Sequence, residues 1–138
     1  MAVIERIDVQ LATSTREGAG TDGDVFIGIA GREFYIESEA NDFEAGSNRT
    51  YRLGDGANIL YSGLNDPRAQ QLQTGNIEQH PVYVRFEPKG AEDNWNLWSV
   101  AVTVNPGPHQ IVYRSSGSTN NMWLGPKAGK FVFLSKSS

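Results

Sequence analysis

The residues best suited to chemistry in this chain are oxygen donors, and they fall in three short clusters. Gly18-Ala19-Gly20-Thr21-Asp22-Gly23 offers a hydroxyl, a carboxylate and a run of unhindered carbonyls. Glu37-Ser38-Glu39-Ala40-Asn41-Asp42 adds three carboxylates, a hydroxyl and an amide, and Glu92-Asp93-Asn94 adds two carboxylates and an amide. Hard cations such as calcium take roughly six to eight oxygens from groups of this kind. The charge distribution points the same way: between Glu17 and Glu44 eight acids face one base, Arg32, although the net charge of the whole chain is only -4. Solvated hairpin faces also account for such a run, and each cluster taken singly also reads as an Asx-turn or a strand-end cap. No EF-hand spacing is present.

Other chemistries find less support. Gly18 to Gly23 is a literal G-x-G-x-x-G, but a dinucleotide site needs a helix to follow it, and Asp24 to Ala30 (DVFIGIA) reads as a strand. The absence of cysteine removes disulfides, thiolate metal sites and a thiol nucleophile. His80 and His109 each adjoin a proline at a strand end, no G-x-S-x-G elbow occurs, and Glu37 with Glu39 lacks the deep sugar cleft a glycosidase needs. Catalysis is therefore not expected. The acidic balance argues against a nucleic-acid partner held through phosphates. No stretch is long and apolar enough for a transmembrane segment, and the start MAVIERIDVQ lacks a signal-peptide apolar block. A soluble chain is expected, its compartment open. Asn48-Arg49-Thr50 is a glycosylation sequon that matters only in a secretory setting.

The elements that must position these clusters are strands. Period-two alternation in Ile7 to Leu11, Val82 to Phe86 and Trp98 to Val104 fits half-buried strands. Asp24 to Ala30 and Glu33 to Glu37 flank a turn at Gly31-Arg32, and further strands are read at Thr50 to Leu53, Ala57 to Tyr61, His109 to Arg114 and Lys130 to Leu134. Turn signals at Gly54-Asp55-Gly56, Pro106-Gly107-Pro108 and Ser115 to Asn121 punctuate them. The pattern predicts a single domain over 1–138, an all-β, eight-stranded antiparallel sandwich with one long inserted loop, Asn65 to His80. A short helix is expected from Asp66-Pro67 to Leu72, stopped by Gly75. Trp98, in phase with Val100 and Val102, is assigned to the core. Trp95 and Trp123, at strand ends among polar residues, are the weak candidates for lipid or partner contact.

Three separated motifs carry a family resemblance. GAGTDGDVFIGIAGREFYI, then ANDFEAGSNRTYRL, then DNWNLWSVAVTV occur in the order found in PLAT (lipoxygenase homology) domains, and the chain resembles most the carboxy-terminal part of bacterial alpha-toxin phospholipases C. The likeness runs from Glu5 to about Val104, apart from the inserted loop. It implies a non-catalytic β-sandwich that brings a partner to lipid, often with calcium as cofactor. By position it implies Thr21, Asp22, Asn41 and Asp42 as ligands of one ion, and Glu37, Asp42 and the Ala40 carbonyl as ligands of a second. The Gly20 carbonyl, Asp93 and the Asn94 carbonyl would serve a third. Two departures stand out: Gly18 takes the place of an aspartate, and Lys89-Gly90-Ala91-Glu92 has none of the aromatics that the toxins insert into membranes. The expected partner is thus a lipid surface reached with calcium, or alternatively a separately encoded protein with any metal structural.

Overall fold

The computed structural model describes residues 2–115 and 122–137; the turn expected at Ser115 to Asn121 lies almost wholly outside them. Ten strands form: β1 Arg6–Thr13, β2 Asp24–Ile29, β3 Arg32–Ile36, β4 Asn48–Gly54, β5 Tyr83–Glu87, β6 Trp95–Val104, β7 Ile111–Arg114, β8 Met122–Leu124, β9 Phe131–Phe133 and β10 Ser135–Lys136. One sheet runs β10-β7-β6-β1-β4, with β8 also paired to β6, and the other runs β3-β2-β5-β9; all strand pairs are antiparallel. The two sheets pack face to face, with Ile7, Val9 and Leu11 of β1 and Val25, Ile27 and Ile29 of β2 among the buried residues between them.

Three sequence-based expectations about the elements are corrected. Among the described residues the strand count is ten rather than eight, because β8 and the two-residue β10 are too short for alternation to register. Ala57 to Tyr61 forms turns rather than a strand. Here Asn58 substitutes for a strand: its Oδ1 accepts the Arg52 N–H at 2.7 Å and its amide donates to the Thr50 carbonyl at 3.1 Å, capping the free edge of β4. The inserted loop carries its one helix, a 3-10 turn at Thr74–Gln79, after Leu72 rather than before it. The loop is held to β3 by Asn65, whose Oδ1 accepts the Tyr35 N–H at 2.7 Å, and by Arg32, which donates to the Asp66 carbonyl at 2.9 Å.

The tryptophans exchange roles. Trp95 is fully buried, with its indole N–H donated to the Thr13 hydroxyl at 2.9 Å, whereas Trp98 is 47% exposed. The cause is a bulge: Ala12 pairs with Ser99 but Thr13 pairs with Leu97, so Trp98 is the extra residue and the alternation changes phase there. Trp95 is thereby removed as a contact candidate, and Trp123 keeps 37% exposure.

Candidate functional site

The three oxygen-rich loops meet at one end of the sandwich. Their floor is aromatic: Phe43 packs on Tyr51 and Trp95 with ring centroids 5.7 and 5.4 Å away, and Phe86 packs on Trp95 at 5.7 Å. The first loop is tied to the second by the Thr21 N–H, which donates to the Phe43 carbonyl at 3.0 Å. Gly20 permits this approach, since a Cβ there would stand 2.9 Å from the Ala45 nitrogen and 3.0 Å from the Phe43 oxygen. The third loop is tied to the first through Asp93. Its Oδ1 accepts the Thr21 hydroxyl at 2.5 Å and its Oδ2 accepts the Lys89 N–H at 2.7 Å. Between them opens a cleft of about 510 Å³ lined by Gly18, Gly20, Thr21, Asp22, Glu44, Ala45, Lys89 and Asp93.

A second group of carboxylates gathers on the other side of the second loop. Asp42, buried, accepts three hydrogen bonds: from the Ser38 hydroxyl at 2.6 Å and the Tyr51 hydroxyl at 2.8 Å on Oδ1, and from the Ser38 N–H at 2.7 Å on Oδ2. Next to it the Tyr35 hydroxyl lies 2.7 Å from Glu37 Oε2 and 2.9 Å from Asp24 Oδ1. One phenolic proton serves only one of these two acids at a time.

Electrostatics separate the two central carboxyls. Burial pushes Glu37 above the usual glutamate range, the charges of Asp42 and Asp24 add to the shift, and the Tyr35 hydroxyl opposes it. Burial acts in the same direction on Asp42, but the bonds from Ser38 and Tyr51 outweigh it and hold that carboxyl low. Burial and the neighbouring carboxylates push the Tyr35 and Tyr51 hydroxyls up. Among the described residues, no ion pair involves Asp22, Asp24, Glu37, Glu39, Asp42, Glu44, Glu92 or Asp93, whereas Asp8, Glu33, Asp66, Glu78 and Glu87 are all paired.

The structure thus distributes the sequence candidates unevenly. Gly20, Thr21, Asp22 and Asp93 share the cleft, and Glu37 and Asp42 share the second group. Asn41 is exposed and donates to the Glu44 carboxylate; Ala40 is exposed as well. Asn94 donates to the Glu92 carbonyl at 3.3 Å, with its Oδ1 lying over Gly125. No hydrogen bond among the described residues joins Thr21 or Asp22 to Asn41 or Asp42. No set of three or more acidic or histidine side chains converges in metal-binding geometry among the described residues. The donors are nonetheless all hard oxygens, and Asp42 Oδ2, with a single hydrogen bond, keeps a lone pair for a further partner.

Sequence reasoning missed Tyr35 and Tyr51, and it counted Asp24 and Ser38 among the oxygen donors without placing them in the site. A usable signal was the β2–β3 hairpin, whose register pairs Val25 with Ile36 and so sets Asp24 opposite Glu37.

No protein-family model and no curated protein matches the sequence. Solved structures do match it. An alpha-toxin from Clostridium absonum is similar with a TM-score of 0.65 at 21% identity, over 97% of this chain and 32% of that one. Alpha-toxin from an avian strain of Clostridium perfringens gives a TM-score of 0.65 at 18% identity, over 96% and 32%. A coral 8R-lipoxygenase, described as activated by calcium through a C2-like domain, gives a TM-score of 0.62 at 22% identity, over 95% and 17%. The chain therefore spans a third or less of the proteins it matches. At this identity the likeness is one of fold, and the fold is the PLAT-like, C2-like β-sandwich.

Proposed function

We propose that this chain is a non-catalytic, calcium-responsive module that binds a lipid surface or a lipid-associated partner. The observation that carries the reading is the group of eight carboxylates without ion pairs among the described residues, placed on three loops that hydrogen bonds draw together and on the adjoining start of β2. In the absence of metal these groups repel one another and any anionic surface. Asp42 and Glu37 would hold an ion on one side, and Asp93 with Asp22 and the Gly20 carbonyl on the other. Calcium bound there supplies positive charge and open coordination positions for a phosphate oxygen. The residues themselves set the geometry: Ser38 and Tyr51 orient Asp42, Thr21 and the Lys89 N–H orient Asp93, and Tyr35 links Glu37 to Asp24.

A second reading, a protein-docking module in which metal is structural, draws on the Lys89 to Glu92 segment, which is largely exposed and offers no apolar side chain larger than alanine for insertion into lipid. Flotation with vesicles of phosphatidylcholine and phosphatidylserine separates the two readings. Binding that calcium strengthens and a chelator weakens is expected from the first; no binding in either condition removes it in favour of the second.

A further inference from the structure

The acids end at Asp93. From Asn94 to Ser138 the sequence contains no aspartate or glutamate and four bases, Arg114, Lys127, Lys130 and Lys136. Lys136 pairs with Glu78 at 3.3 Å. Lys127 and Lys130 are exposed in the connection leading into β9, and neither forms an ion pair with a described residue.

Strand β9 is an edge. It pairs with β5 on one side, whereas the opposite edge of that sheet, β3, is covered by Asn65 of the inserted loop. Alternation turns Phe131 and Phe133 outward, where they are 47% and 63% exposed. Their rings stack at 10° with centroids 6.2 Å apart, and Tyr83 extends the surface at 5.3 Å from Phe131. Stable folding does not call for two adjacent phenylalanines in water beside unpaired lysines.

We propose that the β9 edge, with Phe131, Phe133, Lys127 and Lys130, is a direct contact for an anionic lipid surface. Aromatic rings favour the membrane interface, and lysines next to them complement acidic headgroups. The choice of partner rests on the lipid-surface reading above, but the contact itself needs no metal. Position supports it as well: the connection into β9 adjoins the third acidic loop, since a Cβ on Gly125 would stand 3.2 Å from the Asp93 carbonyl. The basic edge and the acidic pole thus share a rim, so that a single lipid sheet meets both.

The test is cosedimentation of the whole chain with phosphatidylcholine vesicles with and without phosphatidylserine, in chelator and in calcium. The comparison variants are Phe131→Ser/Phe133→Ser and Lys127→Gln/Lys130→Gln. Weak, salt-sensitive binding to the anionic vesicles is expected in chelator and stronger binding in calcium, and each double variant should lose at least about tenfold in partitioning with an unchanged melting curve. If the serine pair shifts the melting curve, the lysine pair carries the test. Calcium-dependent binding that neither variant weakens overturns the β9 contact and leaves the calcium reading standing. Binding that needs the phenylalanines and ignores calcium supports the contact and removes that reading. Variants that lose self-association but bind vesicles as before assign the edge to a second copy of the chain and overturn the proposal.

Discussion

Asp42 and Glu37 show how neighbouring carboxyls acquire opposite tasks. Asp42 is ionised by three donors, so its contribution to stability is present above the ordinary aspartate value and is lost as pH falls through its depressed folded value. Glu37 behaves in reverse. Its folded value is raised, so the fold loses stability as pH climbs from the ordinary glutamate value through the raised one. Glu37→Gln should therefore flatten the stability curve over that window and raise the melting temperature without metal, while shrinking the gain that calcium brings. Calorimetric melting across pH, with and without calcium, checks both signs. Tyr51→Phe removes one donor from the buried Asp42 and should cost about 1.5 to 3 kcal/mol in denaturant unfolding. It should also make the loss of stability in acid shallower, because Asp42 then takes up its proton at a value closer to that of the unfolded chain.

At the scale of elements, strand identity was legible wherever alternation ran unbroken, as in Ile7 to Leu11 and Val82 to Phe86. Phase was not legible where the chain departs from period two. The bulge at Trp98 is set by pairing with β1, a long-range fact that no local pattern encodes. Trp95→Ala should accordingly cost about 3 to 5 kcal/mol, whereas Trp98→Lys should stay within about 0.5 kcal/mol, both read from urea unfolding. The β2–β3 turn teaches a similar lesson. Its central residues are Ala30 and Gly31, with φ of 54° and 80°, one position earlier than the sequence suggests. A tight turn with two positive φ angles prefers glycine second, and that one-residue shift sets Asp24 opposite Glu37 instead of Glu39. The acidic loops themselves were legible from composition. Their division into a Thr21–Asp93 cleft and a Glu37–Asp42 group depends on Phe43, whose φ of 61° and buried ring lie beyond any residue-type argument.

For the whole molecule, charge is segregated along the sequence and then brought close in space. Asp22, Glu37, Asp42, Glu44 and Glu92-Asp93 gather at one end, with Glu33 apart on the sheet face in its pair with Arg85, while the acid-free stretch after Asp93 brings the connection that carries Lys127 and Lys130 beside that end. Such an arrangement has weak affinity for an anionic surface until the carboxylates are neutralised, and divalent metal is the neutralising agent their chemistry fits. The most direct measurement is a calorimetric titration of the whole chain with calcium, repeated on Asp42→Asn and Asp93→Asn. Saturable uptake at millimolar or lower concentration, weakened in each variant, is the predicted result. Heats of dilution alone, or uptake that both variants leave unchanged, would contradict the assignment of these loops to calcium.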